Sequence, residues 1–558
     1  MAISVVLVVE GYELTGTSWT GDLAIAIWLF AAAVSTFHQV VEVLRTPQKF
    51  RRIREQLLDW LLLLIVLALV LLNRRGLLAL VVFFRQGIAV IRVFLSTHKG
   101  HGWIASLLAQ PAKLLAVSFL SVILCGMVFL TFPRATVDGR GATAINALFT
   151  ATSATCVTGL TVVPTQDANA ASGSSFSLYG QVAILLLIQV GGLGIMTLSA
   201  AIMLLLGQRL SAGSQAAFRN VLGEESRQSI EQSVTTIFTM TLIIEAIGAL
   251  LLFQRFLGTM DDMGMAAWYA LFHAISAYCN AGFSLFGDSL VSFRGDTTVM
   301  LTVMALVTLG GLGPAVVAAV FHSSSITSSP EITWRRWPLH VRVVLTMSCT
   351  LFFLGFITFY FLEFNESMGS LSFSEKLTAA AFQSVSFRTA GFHTVDLSQI
   401  HRVTLVVVVM LMVVGGSPGS TAGGVKTSTI AVVFLGVRAM LLGRDEVEVS
   451  GRTIAKEVVY KAISILAVFV TILVLGFLLL LAAEPDHDFE VLFFETVSAV
   501  ATVGVSMGVT SKLTVLGKLI VTFLMFAGRI GPLTMALAVG DRGGPIALRY
   551  PEGNIVVG

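Results

Sequence analysis

Apolar residues run along this chain in stretches of bilayer length. They occupy 112–132, 180–206, 235–257, 298–321, 343–362, 403–441, 462–482 and 513–539, and 21–44, 57–73 and 76–95 precede them. A helix needs about 20 residues to cross a hydrocarbon core. The pattern predicts an all-α, multi-pass protein of the cell membrane. Its unit is the helix, not the soluble domain that 558 residues would otherwise suggest.

The polar stretches between the spans fix their direction. Arg209, Arg219 and Arg227, then Arg335, Arg336 and Arg342, then Arg438, Arg444, Arg452, Lys456 and Lys461 mark three basic connections. Asp261 and Asp262, then Glu363 and Glu366, then Glu484, Asp486, Asp488 and Glu490 mark three acidic ones without Lys or Arg. The two kinds alternate, and cytoplasmic loops are the basic ones. The acidic connections are therefore expected outside, where they would draw cations to the surface.

The first 104 residues are read separately, as membrane-associated helices of unknown role. The patch Arg45, Lys49, Arg51, Arg52 and Arg54 is expected in the cytoplasm. Arg85 and Arg92 lie within the apolar run 76–95. That run is either a sensor-like crossing helix or an interfacial helix with snorkelling arginines. With no Lys or Arg before residue 45, no cleavable signal peptide is expected.

A degenerate repeat runs through the remainder. LFTATSATCVTGL at 148–160, LFHAISAYCNAGF at 271–283, AFQSVSFRTAGF at 381–392 and FFETVSAVATVGV at 493–505 each carry Phe, then Ser, then Gly. The third copy is one residue shorter. Each copy follows an apolar span and an outer loop and precedes another span. Repeat boundaries are placed at 105–230, 231–338, 339–450 and 451–558. A basic connection on each side of a two-span unit leaves no room for a third crossing, so each copy must re-enter from outside. Irregular backbone is tolerated at membrane depth where it lines a cavity or is buried in protein. Four such loops imply a central pore whose inward carbonyls replace a cation's hydration shell. The residues expected to bind the ion are Val157, Thr158 and Gly159; Asn280, Ala281 and Gly282; Thr389, Ala390 and Gly391; and Thr502, Val503 and Gly504.

Residues 403–441 are too long for one span, and their middle is the strongest helix breaker in the chain. Gly415, Gly416, Ser417, Pro418, Gly419, Ser420, Thr421, Ala422, Gly423 and Gly424 are expected to interrupt the helix there. The interruption is either a cavity-lining segment or a simple hinge. Lys426 closes it. Arg529, inside the last span, is either a pore-facing barrier to cations or a structural partner for a carboxylate or helix-end carbonyls. Arg388 is expected behind the third loop with an acid, Glu495 being the candidate. The GGLG runs at 191–194 and 310–313 read as close helix packing and receive no site.

CVTGL at 156–160, CNAGF at 279–283, RTAGF at 388–392 and TVGV at 502–505 resemble the filter segments of the Trk/Ktr/HKT superfamily of potassium transporters. GGSPGSTAGGVKT at 415–427, GRIGPLT at 528–534 and the terminal RYPEGNIVVG are similar as well. The resemblance covers about 105–558. It implies four M1–P-loop–M2 units around a pseudo-fourfold pore, as in the membrane subunits of the Ktr/Trk type. It also implies that residues 415–424 gate that pore from within the membrane, and that Arg529 lies beside them. Gly159 at the first position implies potassium over sodium, with K+ bound only at the filter residues. The implied partners are a second copy of the chain and a cytosolic ring of nucleotide-binding subunits. Any nucleotide would sit on that ring, since no cofactor is expected in this chain.

The nearest rival is a symporter coupling potassium or sodium uptake to sodium or protons. A net charge of +3 gives no reason to expect a nucleic-acid partner. An enzyme is not expected, since no HExxH or GxSxG lies within the spans. Cys125, Cys156, Cys279 and Cys349 form no CxxC pair and read as packed free thiols.

Overall fold

In a computed structural model, residues 111–166, 175–194, 227–324, 334 and 337–531 are described. The readings of residues 1–104, and of Arg209, Arg219, Arg335, Arg336 and the C-terminal tail, fall outside them. Four successions of long helix, short helix, loop and helix follow one another. The first holds α1 (Pro111–Leu130), α2 (Ala144–Thr155) and α3 (Leu178–Leu193). The second holds α4 (Arg227–Phe256), α5 (Met263–Tyr278), α6 (Thr297–Leu312) and α7 (Pro314–Ser324). The third holds α8 (Leu339–Glu363), α9 (Phe373–Ser386), α10 (Arg402–Val413) and α11 (Thr427–Leu441). The fourth holds α12 (Lys456–Ala483), α13 (Phe489–Val500) and α14 (Val515–Ile530).

The short helices start where the sequence supplies caps. Thr143 accepts from Asn146 N, Asp262 from Gly264 N and Met265 N, and Ser372 with Glu375 forms a reciprocal capping box. Each short helix packs against the long helix of its own succession, and the second helix of each packs on the short helix of the next. Thus α3 meets α5, α6 meets α9, α10 meets α13, and α14 returns to α2. This chain of contacts closes on itself.

The surface is inverted relative to a water-soluble protein. Ile247, Leu250, Phe353, Phe361, Val474 and Leu479 stand exposed on the long helices. Hydroxyls such as Ser153, Ser276, Ser386 and Ser498 are buried in the centre. Val234–Phe256, Leu339–Glu363 and Lys456–Ala483 are long and apolar enough to cross a bilayer. Placing apolar side chains outward stabilises the fold only where the surroundings are lipid.

The second spans are not continuous helices. α6 and α7 meet at 102° across Gly313. α3 ends at Gly194, α6 at Gly313 and α14 at Gly531, all three with positive φ, the conformation that glycine adopts at helix ends with least strain. Interruption is therefore not confined to the third succession. The glycine runs terminate helices as well as packing them, and their motif recurs as GRIG at 528–531. One turn earlier, a Cβ at Gly191, Gly310 or Gly528 would collide with the carbonyl of Thr155, Tyr278 or Val500, the last residue of the neighbouring short helix. Between α11 and α12 a small antiparallel hairpin pairs β1 (Val447–Val449) with β2 (Arg452–Ile454). Its turn residues Ser450 and Gly451 both have positive φ, the geometry that suits a two-residue hairpin.

These contacts predict that Gly310→Ala forces backbone apart at the centre of the molecule. The expected cost is about 2–3 kcal/mol. It is read as a clear fall in the temperature at which detergent-extracted protein loses its monodisperse elution peak.

Candidate functional site

Each short helix runs straight into one of the glycine loops. The C-caps of α2, α5, α9 and α13 are Cys156, Cys279, Phe387 and Ala501, and all keep right-handed backbone. The chain then takes a left-handed step at Val157 (φ 56), Asn280 (φ 58), Thr389 (φ 69) and Thr502 (φ 50). Two residues on it takes another, at Gly159 (φ 100), Gly282 (φ 71), Gly391 (φ 80) and Gly504 (φ 93). Three of the four non-glycine residues are β-branched, for which this region costs about 1–3 kcal/mol each. Such strain persists only where the surroundings impose it.

What imposes it is the serine of the repeated motif. Ser153 Oγ donates to Leu160 O at 2.7 Å and accepts from Gly159 N at 3.1 Å. Ser276 Oγ donates to Phe283 O at 2.7 Å, and Ser386 Oγ donates to Phe392 O. Ser498 Oγ accepts from Gly504 N at 3.1 Å. One hydroxyl per loop thus pins the backbone at the glycine or just past it to the short helix before it. The sequence displayed these serines but gave no reason to assign them a role. The contact joins residues six or seven apart through a turn that the motif does not announce.

The four loops meet. A Cβ placed on Gly159 would lie 2.5 Å from Ala281 O, one on Gly282 2.9 Å from Ala390 O, and one on Gly391 2.9 Å from Val503 O. One on Gly504 would overlap Thr158 O. Each glycine faces the carbonyl just before the glycine of another loop, in the cyclic order first, second, third, fourth, first. Of the twelve residues read from the sequence as ion-binding, eight make these contacts, and Val157, Asn280, Thr389 and Thr502 are the left-handed residues just before them. Among the twelve, Thr158, Thr389 and Thr502 have buried side-chain hydroxyls without a partner among the described residues.

Beyond the glycines lies a cavity of about 470 Å³, lined by all four glycines and by Ser284, Ser506 and Asp396 among others. Asp396 accepts from Ser398 N at 3.0 Å, Ser398 Oγ at 2.7 Å and Gln399 Nε2 at 2.9 Å. The Ser398 hydroxyl and then its backbone N–H hold this carboxyl below its ordinary range, against a smaller opposing effect of burial. The acids expected to act from the outer connections behave less uniformly. Glu363 is fully buried and accepts from His401 N, while Glu484 accepts from Thr514 N and Thr514 Oγ1. Glu490 lies 3.5 Å from Arg402. These three support the outer loops rather than standing free.

On the opposite side of the ring sits the non-helical segment 414–426. Val414 and Val425 bridge its two ends. Ser417 N donates to Gly311 O at 2.9 Å, Ser417 Oγ to Leu312 O, and Thr421 N to Gly310 O at 3.3 Å. These are carbonyls of the last turn of α6; Gly310 O also accepts from Gly313 N, and the break at Gly313 leaves those of Gly311 and Leu312 without a helical partner. Thr421 Oγ1 lies 3.1 Å from Tyr278 O and 3.2 Å from the Asn280 amide. Gly423 lies so close to Thr502 Oγ1 that a Cβ there would overlap it. Lys426 Nζ folds back on Ala422 O at 2.8 Å. Pro418 and Gly419 form the tip, where a Cβ on Gly419 would meet nothing within 4 Å.

Arg529 ties this segment to the first succession. It donates through Nη1 to Thr421 O and through Nη2 to Gly191 O, both at 2.6 Å. The geometry realises the helix-end alternative read from the sequence, with the loop carbonyl added. Arg388 lies behind the third loop, but its contacts are Ser348 Oγ and Gly415 O, each at 3.4 Å. Glu495 is not its partner, because that carboxylate accepts from Ser506 and Thr510.

A family model described as "TrkH: Cation transport protein" matches residues 108–541. The chain is 39% identical over 456 residues to the Ktr system potassium uptake protein B of Vibrio alginolyticus, covering 80% of this chain and 94% of that one. It is 36% identical over 450 residues to the protein of the same name from Bacillus subtilis, covering 80% and 97%. Among solved structures, the potassium transporter TrkH of Vibrio parahaemolyticus shares the fold with a TM-score of 0.64 at 18% identity, over 88% of this chain and 99% of that one. With a family match across most of its length and relatives aligned nearly end to end, the chain belongs to the TrkH family of cation transport proteins, integral to the membrane and not enzymes.

Proposed function

We propose that the chain takes up potassium through a single channel-like pore, with the four glycine loops as its selectivity filter. The observation that carries this reading is the closed ring of carbonyls from Thr158, Ala281, Ala390 and Val503, each against the glycine of another loop. A pseudo-fourfold axis through that ring is supported by the cyclic packing of second helices on short helices. Oxygens arranged around an axis replace the hydration shell of a cation, and the negative ends of α2, α5, α9 and α13 add to the attraction. Potassium as the ion is supported by the names of the two aligned relatives. The segment 414–426 serves as the gate, because it lies directly against Asn280 and Thr502 at the inner ends of two loops. Arg529 latches it. The chain works as a homodimer with a pore in each copy, under a cytosolic ring of separate nucleotide-binding subunits, as the sequence resemblance implies; that it works within a multi-part system is supported by the relatives' names as parts of a Ktr system.

The test is rubidium and sodium uptake by the purified chain in liposomes, with and without imposed gradients. Flux that follows the potassium gradient alone supports a channel. Flux that reverses with a sodium or proton gradient replaces the channel with a symporter.

Gly159→Ser adds a side chain where Ala281 O stands and strains the backbone at φ 100. Discrimination of potassium over sodium is expected to fall roughly tenfold, equivalent to ~1.4 kcal/mol of differential binding. An unchanged ratio would remove the glycine ring from the filter.

Arg529→Ala breaks two charge-assisted bonds, each worth about 1.5–3 kcal/mol. Release of the segment should raise flux several-fold at equal protein density. Flux that stays level or drops would show that the arginine does not latch a gate.

At the outer cavity, the low carboxyl range of Asp396 keeps its charge as pH falls from neutral through the ordinary carboxylate value of about 4. Its stabilising contribution is complete above the unfolded-state value and is lost only as pH drops through the lower folded one. Half-saturating potassium should therefore hold steady on mild acidification as far as this group is concerned. Asp396→Asn should raise it about twofold at low ionic strength and leave it unchanged at high salt.

A further inference from the structure

The loops are held from behind at a second level that the filter reading does not use. Three residues before each pinning serine, on the same face of the short helix, stand Thr150, His273, Gln383 and Glu495. All four are buried, at 1% exposure or less. They are one structural position filled by four different polar side chains.

Two of the four reach the same target. Glu495 Oε2 accepts from Ser506 Oγ at 2.7 Å, and Oε1 accepts from Thr510 Oγ1 at 2.5 Å. His273 Nε2 lies 3.0 Å from Ser284 Oγ and 3.3 Å from Leu285 N. Ser284 and Ser506 each stand two residues beyond a filter glycine, Gly282 and Gly504, and both line the outer cavity. The imidazole has one orientation of its protons that suits its partners. Nδ1 faces Tyr269 O at 2.8 Å, which can only accept, so Nδ1 carries the proton and Nε2 accepts from Leu285 N–H. The rings of Phe256 and Phe286 pack around it. The other two side chains make no such contact. Thr150 Oγ1 and both amide atoms of Gln383 have no partner among the described residues.

In the cyclic order of the ring, the second and fourth loops lie opposite one another. We propose that His273 and Glu495 are positioning residues for ion selectivity, fixing the outer ends of two opposed filter loops, His273 through the Leu285 N–H and Glu495 through Ser506. The first and third loops rely on their pinning serines. This inference rests on reading the glycine loops as the filter. Neither side chain touches the ion. Each holds the backbone just past the glycine, and so sets the distance across the ring in one direction. A cation smaller than potassium is disfavoured when opposed carbonyls are prevented from closing on it.

The experiment compares rubidium uptake with its competition by sodium, using the full chain in liposomes. Glu495→Ala and His273→Ala should shift the ratio toward sodium by about tenfold, the effect of losing one buried hydrogen bond of ~1.4 kcal/mol. Glu495→Gln and His273→Gln each keep an acceptor and should return the ratio to within about twofold of the parent. Thr150→Val, at the equivalent position with no partner to lose, should leave it unchanged. A residue needed only for folding would lower the yield of protein without moving the ratio, and Gln would restore nothing specific. Should the alanine variants fail to fold, Ser506→Ala removes the Glu495 contact from the cavity side. Folded alanine or serine variants with the parental ratio overturn the proposal. If Gly159→Ser shifts the ratio while these do not, the filter reading stands and this inference falls. If none of them shifts it, both fall together.

Discussion

A peptide group at membrane depth has no water to turn to, so its partner must come from the protein. An unmet buried donor or acceptor costs about 1–3 kcal/mol, and more in hydrocarbon. Helices meet the requirement internally, but this chain departs from helix at its four glycine loops and in 414–426. Most of the side-chain chemistry at its centre meets the need created there. Ser153, Ser276, Ser386 and Ser498 pin the loops. Ser417 and Thr421 supply donors for the open end of α6, and Arg529 supplies them for Gly191 and Thr421. Charge and hydroxyl are buried here because backbone is irregular here.

The same requirement makes the helix breaks interdependent. α6 can stop at Gly313 only if something caps Gly311 and Leu312, and the cap is the segment that interrupts the third succession. On the proposed reading of 414–426 as a gate, the segment has discrete positions. Withdrawing 414–426 leaves the Gly311 and Leu312 carbonyls without their donors and takes from Arg529 one of its two acceptors, and movement therefore needs substitute partners, water among them. The cost is finite and local, which is what a gate requires. At the tip a Cβ on Gly419 would meet nothing within 4 Å, although the Gly419 carbonyl lies close against Gly313.

The glycine loops were legible in the sequence because packing alone does not call for one motif four times over, at matching depth in a topology set by charge. Their pinning serines were in plain view, yet a hydroxyl-to-carbonyl contact across a left-handed turn has no sequence signature. The GGLG runs misled for a related reason. Two small residues in an apolar helix suggest packing, and packing is present at Gly191 and Gly310, but the terminating role falls to Gly194 and Gly313. Alignment with GRIG at 528–531 would have revealed it. The acids were misjudged because sequence separates charge from exposure poorly. Glu363 and Glu484 are buried acceptors, and the acid lining the outer cavity, Asp396, sits beyond the third loop instead. Arg388 was matched with Glu495 by charge alone, whereas Arg388 reaches Ser348 and Gly415 O and Glu495 accepts from two hydroxyls beyond its own loop glycine.

The repeats differ most where their helices end. Gly192, Gly311 and Arg529 occupy one position in three copies of a single motif. A Cβ at Gly192 would overlap the Cys279 thiol, so the first copy has no room for a side chain. At the fourth copy the same position looks toward Gly191 O, which also accepts from Gly194 N, and toward the Thr421 carbonyl, two acceptors from different successions. A long, permanently charged side chain with several donors can satisfy both at once, and lysine, a single point of charge, would hold them less rigidly. The third copy lacks the motif and inserts 414–426 in its place. One arginine and one loop therefore complement each other: the loop presents the acceptor, the arginine spans from it to α3, and neither position repeats because each exists to complete the other.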